Sequence, residues 1–426
     1  MSLSALITQR RLARVGGFAS VQVAVQVVAF AAGIALVRYL DQAEYGYYTL
    51  AISMVGLANV LLDLGLSTAV LATGGSLHKD PQRLGAVAAD AFGLLRRLLI
   101  FGSLILLPVF AVMFYKQGLD PLHVAALSVL VLACTAFNVH SAIMLSVVRL
   151  RGDLSVQQRL DVGINLGKLL LVLAAGALFL DATVAVLVNL LAAAATFALL
   201  QRHLTNRIGG VPCRTQEHDP ALLAFVRRQA PNSIYYCLMG QIAIWLVGIL
   251  GTAERVAEVG ALGRLAAVFT VLSAVMAALV QPYFARATTR REIGSGFIAL
   301  NLGFAALSGA LIGLAIVTPG ALLWILGQRY AGLTAELPWM VLATCLAAWA
   351  GALYAAGSAR GWLVPFWLVI PLGVSTMMLS AWAVDVSTVK GCFMMNSAVA
   401  LSGLLATFGM LMKQLMTGVA RIEGGT

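Results

Sequence analysis

Hydrophobic residues in this chain are gathered into long blocks that short polar segments separate. Each block holds roughly 18–25 residues, enough for a helix to cross a hydrocarbon core of about 30 Å. We predict about twelve such spans, and the third is expected to begin earlier as an amphipathic helix. An apolar segment after the ninth span is too short to cross, and we expect an interfacial turn there. The spans lie near residues 17–37, 47–72, 98–115, 123–147, 162–180, 183–200, 231–251, 259–281, 295–317, 337–357, 363–383 and 391–412.

The pattern repeats itself halfway along the chain. The sequence AEYG at residues 43–46 returns as AEVG at residues 257–260, displaced by 214 positions. The helix before it repeats too, because residues 26–34 align with residues 241–249 at a displacement of 215. Internal repeats of this kind are typical of transporters. The sequence therefore predicts two homologous halves.

The longest polar stretch, residues 201–230, falls where the repeat places a boundary. We therefore predict an N-terminal six-helix lobe at residues 1–205, a cytoplasmic linker at 206–228 and a C-terminal six-helix lobe at 229–426. Composition agrees with this all-α membrane architecture. Hydrophobic residues make up 61% of the chain and charged residues 11%, which excludes an ordinary soluble domain.

The basic residues predict the orientation. Of the 28 Lys and Arg residues, 21 fall in segments on the side of the N-terminus and five in segments on the other side. Because cytoplasmic loops carry the excess of positive charge, both termini are expected in the cytoplasm. The five cysteines are scattered without metal-ligand spacing, so we expect no disulfide framework, metal site or cofactor.

One face of the second predicted span is polar. Its members recur at spacings of three, four and four residues, which places them on one side of a helix. They are Gly56, Asn59, Asp63 and Ser67. Hydrocarbon does not solvate a carboxylate or an amide, so this face should look into protein or water. Asp63 could form a structural hydrogen bond, pair with Lys168, or couple transport to H⁺ or Na⁺.

The fifth predicted span carries a cation. Asp161, Asn165 and Lys168 share one face of it by the same spacing rule. Lys168 could line a central cavity, or its ammonium group could snorkel to the cytoplasmic interface. Arg264, near the outer end of the eighth span, has the same two interpretations.

Amide side chains inside the spans also have two interpretations, since they could bind sugar hydroxyls or join helix to helix. Cations accompanied by one deep acid favour an anionic substrate over a cationic drug, because ammonium and guanidinium groups bind phosphate oxygens. The candidate substrate-binding residues are Lys168, Arg264, Asn165, Gln26, Gln241 and Asn59, and the candidate ion-coupling residue is Asp63.

Three stretches carry a family resemblance. A first helix ending near Arg38, a polar turn with Glu44 and Gly46, and a helix closing on DLGL at 63–66 resemble the N-terminal helix pair of Wzx-type flippases. These are polysaccharide exporters of the MOP superfamily, which also contains the MATE multidrug exporters. Residues 260–282 resemble the eighth helix of that family with its terminal proline. LGQRY at residues 326–330 resembles the short motif after the ninth.

The resemblance implies a MATE-like fold and the export of a polyprenyl-pyrophosphate-linked oligosaccharide across the bacterial inner membrane. The expected product is an O-antigen, capsule or exopolysaccharide repeat unit, moved by alternating access between two lobes with no bond broken. It also implies membrane lipid, and a polysaccharide polymerase with its chain-length machinery, as partners.

Three rival functions share parts of this pattern. A cation-coupled multidrug exporter has the same fold, although that group generally carries carboxylates in the first lobe and the first span here has none. A lipid II flippase works similarly but typically has two extra helices. A membrane polymerase or ligase is expected to carry a large outer loop with catalytic residues, whereas the predicted outer loops are short. The sequence therefore favours a transporter over an enzyme.

Overall fold

The computed structural model describes residues 24–74, 81–151, 153–208, 220–286, 289–358, 360, 362 and 365–417. Within these residues every regular element is a helix. Nine of the helices in the described ranges are long and apolar enough to cross a membrane. The predicted all-α membrane architecture is confirmed.

The described helices belong to two compact units, one ending at Ile249 and the other beginning at Leu250. The first unit contains α1 (Ala24–Tyr39), α2 (Gln42–Asp63), α3 (Leu66–Gly74), α4 (Pro81–Lys116), α5 (Pro121–Leu150), α6 (Leu154–Leu178), α7 (Ala182–Ile208) and α8 (Pro220–Leu250). The second contains α9 (Ala253–Arg286), α10 (Arg290–Val317), α11 (Pro319–Trp324), a 3₁₀ turn (Gln328–Tyr330), α12 (Leu337–Ser358), α13 (Phe366–Ala383) and α14 (Val389–Thr417). The predicted spans correspond to α1, α2, α4 to α10 and α12 to α14, while the predicted lobe boundaries stay a prediction.

The second predicted span is not one continuous helix, contrary to our expectation for residues 47–72. The backbone turns at Leu64 and Gly65, whose φ angles are 44° and 83°. This left-handed conformation ends an α-helix, and glycine adopts it at little cost because it has no Cβ. Helix α2 therefore stops at Asp63, and α3 begins at Leu66.

The first unit is built around α5, which packs against α2, α3, α4 and α7. The helix begins beside Asp120, whose carboxylate accepts a hydrogen bond from the His123 N–H at 3.4 Å, and Pro121 occupies its first turn. Its middle is buried: Val131 and Thr135 are inaccessible to solvent, and the Thr135 hydroxyl donates to the Val131 carbonyl at 2.8 Å. Helix α4 instead exposes apolar side chains such as Leu104, which suits contact with lipid.

The second unit is built around α12, which packs against α9, α10 and α14. Its core holds Phe284, Phe297 and Leu353 among other apolar residues. Helix α10 opens with a capping box in which Thr289 and Glu292 bond each other's backbone N–H groups. The segment expected to be an interfacial turn forms α11, a helix of six residues that is too short to cross.

Candidate functional site

A cavity of about 560 Å³ lies within the first unit. Helix α2, the turn after it, α3, α5 and α8 form its walls. The lining residues are Asn59, Val60, Asp63, Gly65, Thr68, Asn138, Val139, Ala142 and Cys237. Two predicted site residues, Asn59 and Asp63, therefore line one cavity. Asn138, one of the amides with two interpretations, and Thr68, which the sequence analysis did not single out, line it as well.

Asp63 is held by the interruption between α2 and α3. Its Oδ1 accepts a hydrogen bond from the Ser67 N–H at 3.1 Å, and its Oδ2 accepts one from the Ser67 hydroxyl at 2.9 Å. The carboxylate thus satisfies a backbone donor in the first turn of α3, where negative charge is favourable. Of the interpretations open for Asp63, the structural hydrogen bond is present, whereas the ion pair with Lys168 is not formed.

The two asparagines of the cavity retain hydrogen-bonding capacity. Asn59 Oδ1 is buried and has no hydrogen-bond partner among the described residues. Asn138 Nδ2 donates to the Cys134 sulfur at 3.7 Å, and sulfur is a weak acceptor. The oxygen of one cavity amide and the nitrogen of the other therefore have no strong hydrogen-bond partner among the described residues.

Lys168 lies deep along α6 and contacts a neighbouring helix. Its ammonium group donates to Asn189 Oδ1 on α7 at 2.5 Å, and Asn189 Nδ2 is 3.4 Å from the Tyr48 hydroxyl on α2. Because α6 begins at Leu154 rather than near residue 162, Lys168 lies fourteen residues, or about 21 Å, from the helix start. The first residues of α6 precede its apolar block, so both interpretations of Lys168 stay open, and the lysine is not among the residues that line the cavity.

The remaining candidates of the first unit differ in their surroundings. The Asn165 amide donates to the Asp161 carbonyl one turn earlier at 2.8 Å, so that donor is used within α6. Gln26 is exposed on α1. Gln241 lies beside α2, since a Cβ on Gly56 would be 3.2 Å from Gln241 Nε2.

Gln241 belongs to a polar face of α8 that the sequence reasoning missed. Trp245 Nε1 donates to the Ser53 hydroxyl on α2 at 3.2 Å, and the Cys237 sulfur is 3.9 Å from the Gly56 carbonyl. The Gln117 side chain, in the turn after α4, donates through Nε2 to the Gly248 carbonyl near the end of α8. The signal was the four-residue spacing of positions 237, 241 and 245, which places them on one side of a helix.

Arg264 belongs to the second unit, where it is half-buried on α9. In the same unit the Asn301 amide donates to the Phe297 carbonyl at 2.8 Å, and the Trp349 indole donates to Asn301 Oδ1 at 2.9 Å. This asparagine therefore joins α10 to α12. Across the described parts of both units, no three His, Cys, Asp or Glu side chains are grouped so that they could hold a metal ion.

No family model matches this sequence, and no curated protein matches it. Solved structures do match the fold. A multidrug resistance MATE family transporter of the MOP superfamily, in an inward-facing conformation, has a TM-score of 0.69 at 15% identity over 96% of this chain and 99% of that chain. A MATE protein in complex with MaD5 has a TM-score of 0.63 at 15% identity over 93% of each chain.

A MOP superfamily transporter from Pyrococcus furiosus has a TM-score of 0.59 at 13% identity, over 95% of this chain and 94% of that chain. These identities are low, but the matches extend over nearly the whole length of both partners. The chain is thus a multi-pass membrane protein with the MATE fold. The predicted fold class is confirmed by this likeness.

Proposed function

We propose that this protein, which has the MATE fold, translocates a polyprenyl-pyrophosphate-linked oligosaccharide across the bacterial inner membrane by alternating access. The sugar head would cross through the protein, and the lipid tail would stay in the bilayer. The fold supports transport, because the proteins that share it are MATE and MOP superfamily transporters. No covalent chemistry is required of any residue.

The observation that carries the proposed substrate is the lining of the cavity in the first unit. Asn59 supplies a buried oxygen without a protein partner among the described residues, and Asn138 and Thr68 add further polar groups. A sugar hydroxyl both donates and accepts hydrogen bonds, so amide and hydroxyl side chains bind it better than they bind a hydrophobic cation. The lining therefore favours a carbohydrate.

We assign the pyrophosphate to the cations. Lys168 uses one of its three N–H donors on Asn189, which leaves donors for a phosphate oxygen. Arg264 would serve the same purpose in the second unit, since a guanidinium binds phosphate through two parallel hydrogen bonds. Gln26, Gln241 and Asn165 would complete the polar surface that the head group meets.

Asp63 is our candidate for coupling to H⁺ or Na⁺. Its carboxylate lines the cavity at a helix interruption, and both of its oxygens are oriented by Ser67. A carboxylate in such a place can exchange a proton or a sodium ion with the cavity. The partners we propose are the lipid-linked oligosaccharide, membrane lipid, and the polymerase and chain-length machinery that would use the exported unit.

A cation-coupled multidrug exporter is the second candidate. Asp63 in the cavity favours it, and one protein with this fold is described as a multidrug resistance transporter. The fold alone does not favour it, because the Pyrococcus furiosus transporter, which shares the fold, is described by a binding pocket of reverse polarity that suggests a different function. The charge of the pocket, rather than the fold, is therefore the property that separates the two candidates.

Reconstitution into liposomes tests the two candidates directly. Vesicles would contain a fluorescent polyprenyl-pyrophosphate oligosaccharide, and an impermeant glycosidase would report the fraction exposed outside. We expect the protein to equilibrate the labelled lipid between leaflets, Lys168→Ala to abolish this, and Lys116→Ala, an exposed lysine at the end of α4, to leave it unchanged. Efflux of ethidium from the same vesicles without movement of the labelled lipid would instead establish the exporter.

A further inference from the structure

We infer that Glu44 is a positioning residue for Lys168. The carboxylate of Glu44 holds α7 at a fixed depth against α2, and α7 carries Asn189, which the Lys168 ammonium group contacts. This role rests on the proposed function, in which Lys168 binds the pyrophosphate. Glu44 acts through α7 and does not itself contact the substrate.

Glu44 lies in the first turn of α2 and reaches the start of α7. Its Oε2 atom accepts a hydrogen bond from the Ala182 N–H at 2.7 Å. Ala182 is the first residue of α7, so this N–H has no acceptor within its own helix. Because the donor is a main-chain atom, it cannot rotate away as a side chain can. The bond therefore fixes the start of α7 relative to α2.

Tyr48 makes a second contact between the same two helices, one turn after Glu44. Asn189 Nδ2 is 3.4 Å from the Tyr48 hydroxyl, and it donates to the Ala185 carbonyl at 2.9 Å. The nitrogen of this amide is thus engaged by α2 and by its own helix. Its oxygen is the atom that accepts the hydrogen bond from Lys168 at 2.5 Å.

The residues around these contacts are closed to water. Helices α2 and α7 pack against each other, and Tyr48, Ala182 and Ala185 are at most 2% exposed. Water cannot replace a hydrogen bond that is lost at such a place, so α7 must shift or leave an N–H unpaired. Ala182 and Asn189 are seven residues apart on one helix, which is about 10 Å. A shift of α7 along its axis therefore moves Asn189 away from Lys168.

A second acid caps α7 from the helix's own chain. Asp181 immediately precedes the helix, and its Oδ1 accepts a hydrogen bond from the Val184 N–H at 2.7 Å. Both acids satisfy N–H groups at the N-terminus of α7 and both interact favourably with its dipole. Glu44, however, belongs to a different helix. Simple capping predicts equal effects when either acid is removed, whereas positioning predicts an effect on Lys168 from Glu44 alone.

Substitution of the two acids in the full-length protein separates positioning from capping. Movement of the labelled lipid is measured in liposomes at increasing mole fractions, which gives a half-saturating fraction and a maximal rate. We expect Glu44→Ala to raise the half-saturating fraction about fivefold, and Asp181→Ala to leave it within about twofold. Glu44→Gln keeps an oxygen at the end of a side chain of the same length, so it should restore the wild-type value.

Thermal unfolding in detergent micelles tests the same link without any transport. Asn189→Leu removes the acceptor of the ammonium group, so the drop in melting temperature that it causes reports on this contact. We expect the drop to be about half as large in the Glu44→Ala background, because the contact is already misaligned there. It should keep its full size in the Asp181→Ala background.

The outcomes distinguish this role from the proposed function. Equal effects of Glu44→Ala and Asp181→Ala on both measurements would overturn the positioning role. Wild-type transport in Lys168→Met, together with a reduced drop in the Glu44→Ala background, would reject the pyrophosphate assignment but support the link between Glu44 and Lys168. Should Glu44→Ala fail to enter vesicles, Glu44→Asp keeps the charge on a shorter side chain, and unchanged saturation in that variant would also overturn the positioning role.

Discussion

Substitutions at the contact between Lys168 and Asn189 can separate the effect of the lysine on stability from its effect on transport. A charge at the middle of a helix in the bilayer costs about 2.5–3.5 kcal/mol on insertion scales, and a hydrogen bond to a charged group returns about 1.5–3 kcal/mol. Lys168→Met removes both terms at similar side-chain size. We therefore expect its free energy of unfolding to stay within about 1 kcal/mol of wild type, while transport of the labelled lipid is lost.

The partner residue should behave in the opposite way. Asn189→Leu removes the acceptor that the ammonium group contacts at 2.5 Å, so the loss of stability should be about 1.5–3 kcal/mol. In the double variant the lysine and its acceptor are both absent, and we expect stability to return towards that of Lys168→Met. Unfolding in mixed detergent micelles measures the stabilities of all four proteins.

The liposome assay then decides between the two interpretations of Lys168. A binding lysine predicts that the stable double variant is inactive, because no substitution at position 189 restores the cation. Movement of the labelled lipid at the wild-type rate in Lys168→Met, at equal incorporation into vesicles, would show that the lysine is only a packing element and would refute the assignment of the pyrophosphate to it.

Three further predictions follow from single contacts. Asp63→Asn keeps the shape of the side chain but not its charge, so transport should lose its dependence on pH or sodium; a full ion response in that variant would exclude Asp63 from coupling. Trp245→Phe removes the indole hydrogen bond to Ser53 and should lower the free energy of unfolding by about 0.5–1.5 kcal/mol. Adding Ser53→Ala should lower it little further. Losses that add in the double variant would mean that the bond does not form. The hydrogen bond from His123 lowers the pKa of Asp120. The ionised Asp120 therefore contributes stability above the unfolded pKa of about 3.9, and this contribution is lost as the pH falls through the lower folded pKa. Melting temperatures measured from about pH 6 down to about pH 3 should fall at the acid end, and Asp120→Asn should reduce that fall; an equal fall in the variant would contradict this.

Much of the fold was accessible from the sequence because the bilayer imposes a simple rule. A segment in hydrocarbon must satisfy its own backbone, so a block of about 20 apolar residues predicts a helix with little ambiguity. Helix ends were harder. Helix α6 begins at Leu154, several residues before its apolar block. This start was not predicted, because an amphipathic first turn leaves no mark in mean hydropathy. The break at Leu64 was missed for the opposite reason, since both of its sides are apolar.

The site was less predictable, because residue spacing shows which side chains share a face of a helix but not which residues of other helices that face contacts. The face with Asn59 and Asp63 was identified correctly as polar, and both residues line the cavity. The spacing also placed Ser67 on the face of Asp63, but it did not show that Ser67 rather than Lys168 would be the partner of that carboxylate. The contact of Trp245 with Ser53 joins residues 192 positions apart, and no periodicity within one helix can predict such a pair.

A helix that stops at Asp63 ends in peptide carbonyl groups, and Val60, Asp63 and Gly65 at that end all line the cavity. The C-terminus of a helix carries the equivalent of about half a negative elementary charge in its main chain. Alanine scanning cannot reach that charge or the opposite charge at the adjoining N-terminus of α3, so a cavity stripped of its acid would still carry the field of its main chain. Replacing the amide of Gly65 by an ester, through semisynthesis, would alter this contribution without touching any side chain.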